Sequence, residues 1–147
     1  MQSLTLAQAS TIVDVALKTG RSANYQPLTV VVLDAGGHMV ALKREDKSGI
    51  LRVEIAFGKA WGALGMGIGS RTLASRAPKQ PAFFTALAAV SGGRMVPGPA
   101  GVLIRDQDGD VIGAVGISGD TADNDEKCAL AGIEAASLTA DPGKDLP

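Results

Sequence analysis

The alternation of apolar and polar positions divides the chain into helices and short strands. Leu6, Ala9, Val13, Ala16 and Leu17 recur at helical spacing and predict a first helix from about Thr5 to Gly20. Thr5 and Gln8 have the spacing of a capping box, and Gly20 reads as the stop. After Pro27, Leu28 to Leu33 is apolar almost without a break, as in a strand buried on both faces. Asp34-Ala35-Gly36-Gly37 turns it into a return strand, Met39 to Arg44. A second hairpin joins Val102–Arg105 to Val111–Ser118 through Asp106 to Asp110. Gly113 and Gly116 inside its last strand imply a bulge or a close neighbour. Between the hairpins, Thr72 to Pro81 is polar and basic, with a short helical turn, and Phe83 to Val90 forms a short helix. The final helix, about Thr121 to Leu138, opens among Asp120, Asp123, Asp125 and Glu126, where carboxylates suit the positive helix end. The tail from about residue 140 is expected to fray.

One stretch departs from an ordinary amphipathic pattern. Across Gly49 to Ser70, Ile50, Val53, Phe57, Ala60, Trp61 and Leu64 form an apolar stripe that predicts burial. Gly58, Gly62, Gly65 and Gly69 form a second stripe. Each glycine disfavours helix by about 1 kcal/mol relative to alanine, so the stripe predicts close approach of another backbone. A third line holds Ile55, Lys59, Ala63 and Met66, with Lys59 its one cation. Such a helix is enclosed on several sides, and Lys59 is expected to look into a pocket. The elements together predict an α/β (α+β) domain: a small antiparallel sheet with helices packed against it.

Composition narrows the function classes. A chain of 147 residues fits one domain, with 46% hydrophobic and 20% charged residues in the globular range. A net charge of −1 without a basic block argues against nucleic-acid or anionic-membrane partners, and 3% aromatics are too few for base-stacking platforms. No apolar run reaches the roughly 18 residues of a membrane span. The N-terminus has no basic region followed by an apolar one, so no signal peptide is expected. Cys128 is the single cysteine, which makes a reducing cytoplasm the expected location. Abundant small residues cover a surface poorly, so a homo-oligomer, dimer or higher, is expected.

The candidate chemistry is centred on Lys59. Its ammonium could hold a carboxylate or phosphate, or act as a base or Schiff-base amine once desolvation lowers its pKa. It could equally be a lysine with a buried stem and a solvated head. Asp34 and His38 bracket the first turn, either as an oriented general base or as a side-chain-capped turn before an ordinary strand residue. Glu54 is a further proton carrier or a surface group. Gly116-Ile117-Ser118-Gly119-Asp120 runs from a strand into a helix, a place where anions bind, although the neighbouring carboxylates oppose a phosphate. A Ser118–His38–Asp34 triad can be spelled from the letters alone. Asp106, Asp108 and Asp110 imitate a calcium loop but lack its later glycine and glutamate, so no metal site is expected. Arg44 and Asp46 form an exposed pair by default, and Cys128 reads as small packing.

Val32-Leu33-Asp34-Ala35-Gly36-Gly37-His38, Arg44 with Asp46, Lys59-Ala60, Gly113 to Gly119, Asp125 to Ala129 and Gly132 occur in this order. In that order the chain resembles the GlcG/HbpS-like family, which includes the C-terminal domain of PduO-type proteins. The resemblance implies a profilin-like fold, with a five-stranded antiparallel sheet flanked by helices in a dimer or larger oligomer. It also implies haem binding in some members, and ties to cobalamin and glycolate metabolism. Relatives can use a histidine in the first helix, which this chain lacks; Met39, Met66 and Met95 are the remaining soft ligands beside His38. Two functions stay open. The first is a pocket for haem, another tetrapyrrole or a small carboxylate, formed by Lys59, Arg44, Trp61, Met66, Gly116 and Ser118. The second is a cofactor-free isomerase, lyase or hydrolase using Lys59 with Asp34, His38 or Glu54.

Overall fold

The computed structural model describes residues 2–147. Its elements run α1 (Leu6–Ser22), β1 (Thr29–Asp34), β2 (Met39–Arg44), α2 (Arg52–Met66), α3 (Ser70–Arg76), a 3-10 turn (Ala77–Lys79), α4 (Pro81–Val90), β3 (Gly101–Arg105), β4 (Val111–Ser118), α5 (Ala122–Ala135) and β5 (Thr139–Asp141). The strands form one sheet in the order β2-β1-β4-β3-β5, with every neighbour antiparallel. Thr29 pairs with Ser118 and Asp34 with Gly113, so Ser118 and Asp34 mark opposite ends of the sheet.

Both faces of the sheet are covered, and β1 alternates between them. Val30 and Val32 join Ile12, Val13, Leu28, Val115, Ile117 and Ile133 beneath α1 and α5. Val31 and Leu33 join Ala56, Ala60, Ala63, Leu103 and Ala114 beneath α2. This two-sided burial is what the unbroken apolar run of β1 requires.

Local chemistry sets most boundaries. Both bonds of the Thr5–Gln8 capping box form. Gly20, expected to end α1, lies within it; a Cβ there would sit 2.5 Å from Leu28 Cδ1, so the glycine serves packing. The chain turns instead at Asn24, with φ 58°. The predicted Gly49–Ser70 helix is shorter, opening at Arg52 and closing at Gly67 in the left-handed conformation. The polar segment after it forms α3 and the 3-10 turn. α5 stops at Ala135, and Ser137, with φ 60°, redirects the chain into β5. Apolar patterning does not mark this fifth strand, because Thr139-Ala140-Asp141 is a short edge. The tail, expected to fray, is tied down on α3: Thr72 Oγ1 donates to Lys144 O and accepts from Lys144 N, and Ser75 Oγ accepts from Leu146 N. Arg71 pairs with Asp123, Glu126 and Asp145 and so joins α3, α5 and the tail.

Candidate functional site

α2 meets the sheet through its smallest side. Ala56, Ala60 and Ala63 are fully buried, and a Cβ at Gly116 would overlap the carbonyl oxygen of Ala56. A Cβ at Gly101 would likewise overlap Lys59 O. The helix backbone thus lies almost against two strands. This close docking forces the large residues outward: Phe57, Trp61 and Leu64, expected to be core, are half-buried, and Ile50, before the helix begins, is 90% exposed.

Lys59 is on the buried side, and its ammonium is satisfied by protein atoms. Nζ donates to Ile117 O at 2.9 Å and lies 3.8 Å from Asp125 Oδ2. Burial pulls the lysine pKa below its ordinary value, Asp125 opposes that shift and Arg52 adds to it. Asp125 is pushed upward by burial, against the N–H groups of Asp120 and Gly119 and the Lys59 charge. Asp125 Oδ1 accepts from Asp120 N at 2.9 Å, so the pair ties α2 to the β4–α5 turn. Nearby, Arg52 Nη1 donates to Ser118 Oγ at 3.0 Å.

The other side of α2 opens on an apolar recess of about 150 Å³ lined by Trp61, Gly62, Gly65, Met66, Leu87, Val90, Ser91 and Met95. The glycine stripe explains it. Segment 94–96 crosses Gly58 and Gly62, where a Cβ would overlap Arg94 O and come within 2.9 Å of Met95 Cγ. Val96 N donates to Gly58 O, while Ser91 Oγ accepts from Met95 N and sets that methionine in place. The Arg94 guanidinium stacks 4.7 Å from the centre of Trp61, with Nε bonded to Ser91 O. The recess therefore combines an indole and two thioethers, with the Arg94 cation stacked on that indole and outside the lining. Among the predicted residues it unites Trp61 and Met66. Sequence reasoning missed Arg94, Leu87, Val90 and Ser91 as site residues, although the glycine stripe had signalled a crossing backbone.

The remaining predicted residues lie elsewhere. Asp34 caps its turn: Oδ1 accepts from Gly36 N and His38 N, and His38 Nδ1 is 3.3 Å away on a ring 81% exposed. Burial works against the Asp34 charge, but the His38 and Gly36 N–H groups and the imidazole hold its pKa below the ordinary 3.8. Asp34 and His38 are at the far end of the sheet from Ser118, so no Ser118–His38–Asp34 triad forms. Glu54 is exposed on α2, apart from the buried Lys59. The acid–base set of Lys59 with Asp34, His38 or Glu54 is not brought together. Arg44 borders a separate polar recess with Arg21, Pro27, Glu45 and Asp46. Gly116 lies under α2 and has no room for a ligand. Met39 is exposed on edge strand β2. The carboxylates of Asp106, Asp108 and Asp110 lie within 4.8 Å of one another, and Asp106 Oδ1 accepts from both Asp108 N and Asp110 N as in a capped turn. Cys128 is fully buried, and burial raises its thiol pKa to about 11.

The family model for haem-degrading protein HbpS-like matches residues 4–134. The chain belongs to the HbpS-like family. Solved structures share this HbpS-like arrangement. A PduOC:heme complex is 24% identical, with a TM-score of 0.84 over 94% of this chain and 98% of that one. The Klebsiella pneumoniae protein ORFY is 27% identical, with a TM-score of 0.81 over 93% and 92%. HbpS itself is 25% identical, with a TM-score of 0.77 over 91% and 90%. No curated protein matches the HbpS-like chain. Among its described residues, no helix is long and apolar enough to cross a membrane.

Proposed function

We propose that this chain binds haem, or a tetrapyrrole of similar shape bearing carboxylates, at the recess between α2 and α4. The observation that carries the reading is the recess itself: Trp61, Met66 and Met95 around glycines, with Arg94 stacked on Trp61. A tetrapyrrole needs apolar walls, a flat approach, and cations for its acid groups. Gly65 leaves room beside Trp61, and Met66 and Met95 offer thioether ligands of the kind that haem iron accepts. A bound haem supplies a redox-active iron; the chain supplies the wall, the thioethers and the guanidinium. The name of the family and the haem complex of a fold neighbour support the same ligand class. With its lone cysteine buried, the chain suits a reducing cytoplasm.

Two observations move the site away from Lys59. Lys59 is engaged by Ile117 and Asp125, so the propionate partner is Arg94 in its place. The recess of about 150 Å³ takes only an edge of the macrocycle, so a second subunit of a homo-oligomer would cover the remainder. Haemin titration followed by absorbance tests the reading. Saturable, stoichiometric movement of the Soret band is expected, weakened at least about tenfold by Trp61→Ala and altered in band position by paired Met66→Leu and Met95→Leu. A spectrum no different from haemin with a non-binding protein, or one indifferent to all three changes, would overturn it.

A further inference from the structure

The C-terminal tail, tied down on α3, encloses a second recess. Its volume is about 400 Å³, and it shares no lining residue with the recess beside Trp61. Small-molecule pockets begin at roughly 300 Å³. The walls are fixed by hydrogen bonds before any ligand arrives. Thr72 Oγ1 donates to Lys144 O and accepts from Lys144 N, Arg71 N donates to Pro142 O, and Gly143 N donates to Asp141 Oδ1. The tail lies directly on Gly69, where a Cβ would overlap Pro142.

The charge of this recess is out of keeping with the chain. Arg76, Arg105 and Lys144 line it with a single carboxylate, Asp141, an excess of two positive charges on a protein whose net charge is −1. Ion pairing does not remove that excess. Asp141 Oδ2 is taken by Arg105 Nε and Nη2, and the nearby Asp145 is taken by Arg71. Among the described residues, no carboxylate pairs with Arg76 or Lys144. Arg76 is carried on the last turn of α3, and Lys144 is held at its backbone by Thr72, so the two cations come from two elements locked to each other. Ile68 and Leu146 add an apolar part to the same lining.

We propose that this recess binds a small phosphomonoester, with the phosphate between Arg76 and Lys144 and its apolar body against Ile68 and Leu146. The charge selects the acid group. One phosphate monoester carries about −1.5 to −2 near neutral pH and so matches both free cations at once, whereas one carboxylate leaves a cation unmatched. A guanidinium supplies a planar fork of donors and an ammonium a mobile point charge, a pairing that suits a tetrahedral oxyanion. The volume selects a metabolite over the bare ion, because a phosphate alone fills only part of about 400 Å³. Arg76 and Lys144 are both exposed, so they remain hydrated until the ligand displaces that water, and the affinity is modest and falls with salt. The site is independent of the haem reading.

Calorimetric titration of the haem-free protein with phenyl phosphate at low ionic strength tests the proposal. One saturable site per chain is expected, with a dissociation constant below about 1 mM. Inorganic phosphate and benzoate, which offer the acid without the body and the body without the second charge, should each bind more weakly. Arg76→Gln and Lys144→Gln should each weaken phenyl phosphate, and together by about tenfold, while Lys127→Gln on α5 makes the same charge change and leaves the affinity as it was. No saturable heat, benzoate bound as tightly as phenyl phosphate, or a double variant that binds like Lys127→Gln overturns the proposal. Should the double variant fail to fold, the two single variants decide by the same criterion.

Discussion

The two faces of the sheet are covered in different ways. Under α1 and α5, branched aliphatic residues such as Ile12, Leu28, Ile117 and Ile133 interdigitate and fill the space. Under α2, alanines face glycines, and the helix backbone rests nearly on the strands. The first arrangement places its large side chains inside. The second has no room for them, so Phe57, Trp61 and Leu64 sit at its partly buried edge, and Trp61 lines the recess toward α4. Close docking on one side of α2 thus leaves an apolar recess on the other.

If that contrast is right, the two faces should fail differently. Gly116→Val should be the most damaging change, because its Cβ would overlap Ala56 O and backbone cannot rotate away; a loss above about 3 kcal/mol in urea unfolding, or no folded protein, is expected. Lys59→Ala should cost about 3–5 kcal/mol by leaving Asp125 buried without its cation, whereas joint replacement by Lys59→Met and Asp125→Leu should recover most of that. On the aliphatic face, Ile133→Ala should cost about 2–5 kcal/mol through a cavity, with no change in haemin affinity. A similar loss from Gly116→Val and from a one-methylene change at Ile133 would break the comparison. Trp61→Ala should do the reverse of Ile133→Ala, with weaker haemin binding and a melting temperature within a few degrees of wild type.

The smallest effect concerns acid. Asp34 and Asp120 have pKa values held below the ordinary 3.8, at Asp120 first by the Gln26 N–H and then by Asn124 and Thr121. Groups shifted this way bind fewer protons folded than unfolded. Their stabilisation is present above pH 3.8 and is lost as pH falls below it toward their folded values. Asp125, shifted upward, has the opposite sign and does not add to the acid loss. Asp120→Asn should therefore flatten the fall in unfolding free energy between about pH 5 and pH 2, measured by urea titration.

Much of this was legible in the letters, for identifiable reasons. β1, both hairpins and α1 depend on local periodicity, turn residues and a capping box, all contained within a few neighbouring positions. The glycine stripe correctly announced a crossing backbone at Gly58, since repeated glycine weakens a helix unless a close neighbour needs the space. Three things were misplaced because each depends on distant partners. β5 is recognisable only by pairing with β3. The tail is ordered only because Thr72 and Ser75 lie beneath it. Lys59 is a cation on a small-residue face, and nothing in the sequence says whether a ligand or Asp125 receives it.

The sequence by itself determined α1, the two hairpins, the two-sided burial of β1 and the family, because these follow from periodicity and from motifs in fixed succession. The tertiary structure alone decided which side of α2 is closed. That outcome depends on how near a helix can approach a strand, which Ala56 and Gly116 settle together from sixty residues apart. From that one approach follow the buried Lys59–Asp125 pair, the displaced Trp61, and a recess in which Trp61 and Met66 meet Met95, because a helix that presses one side against a sheet must present its bulk on another.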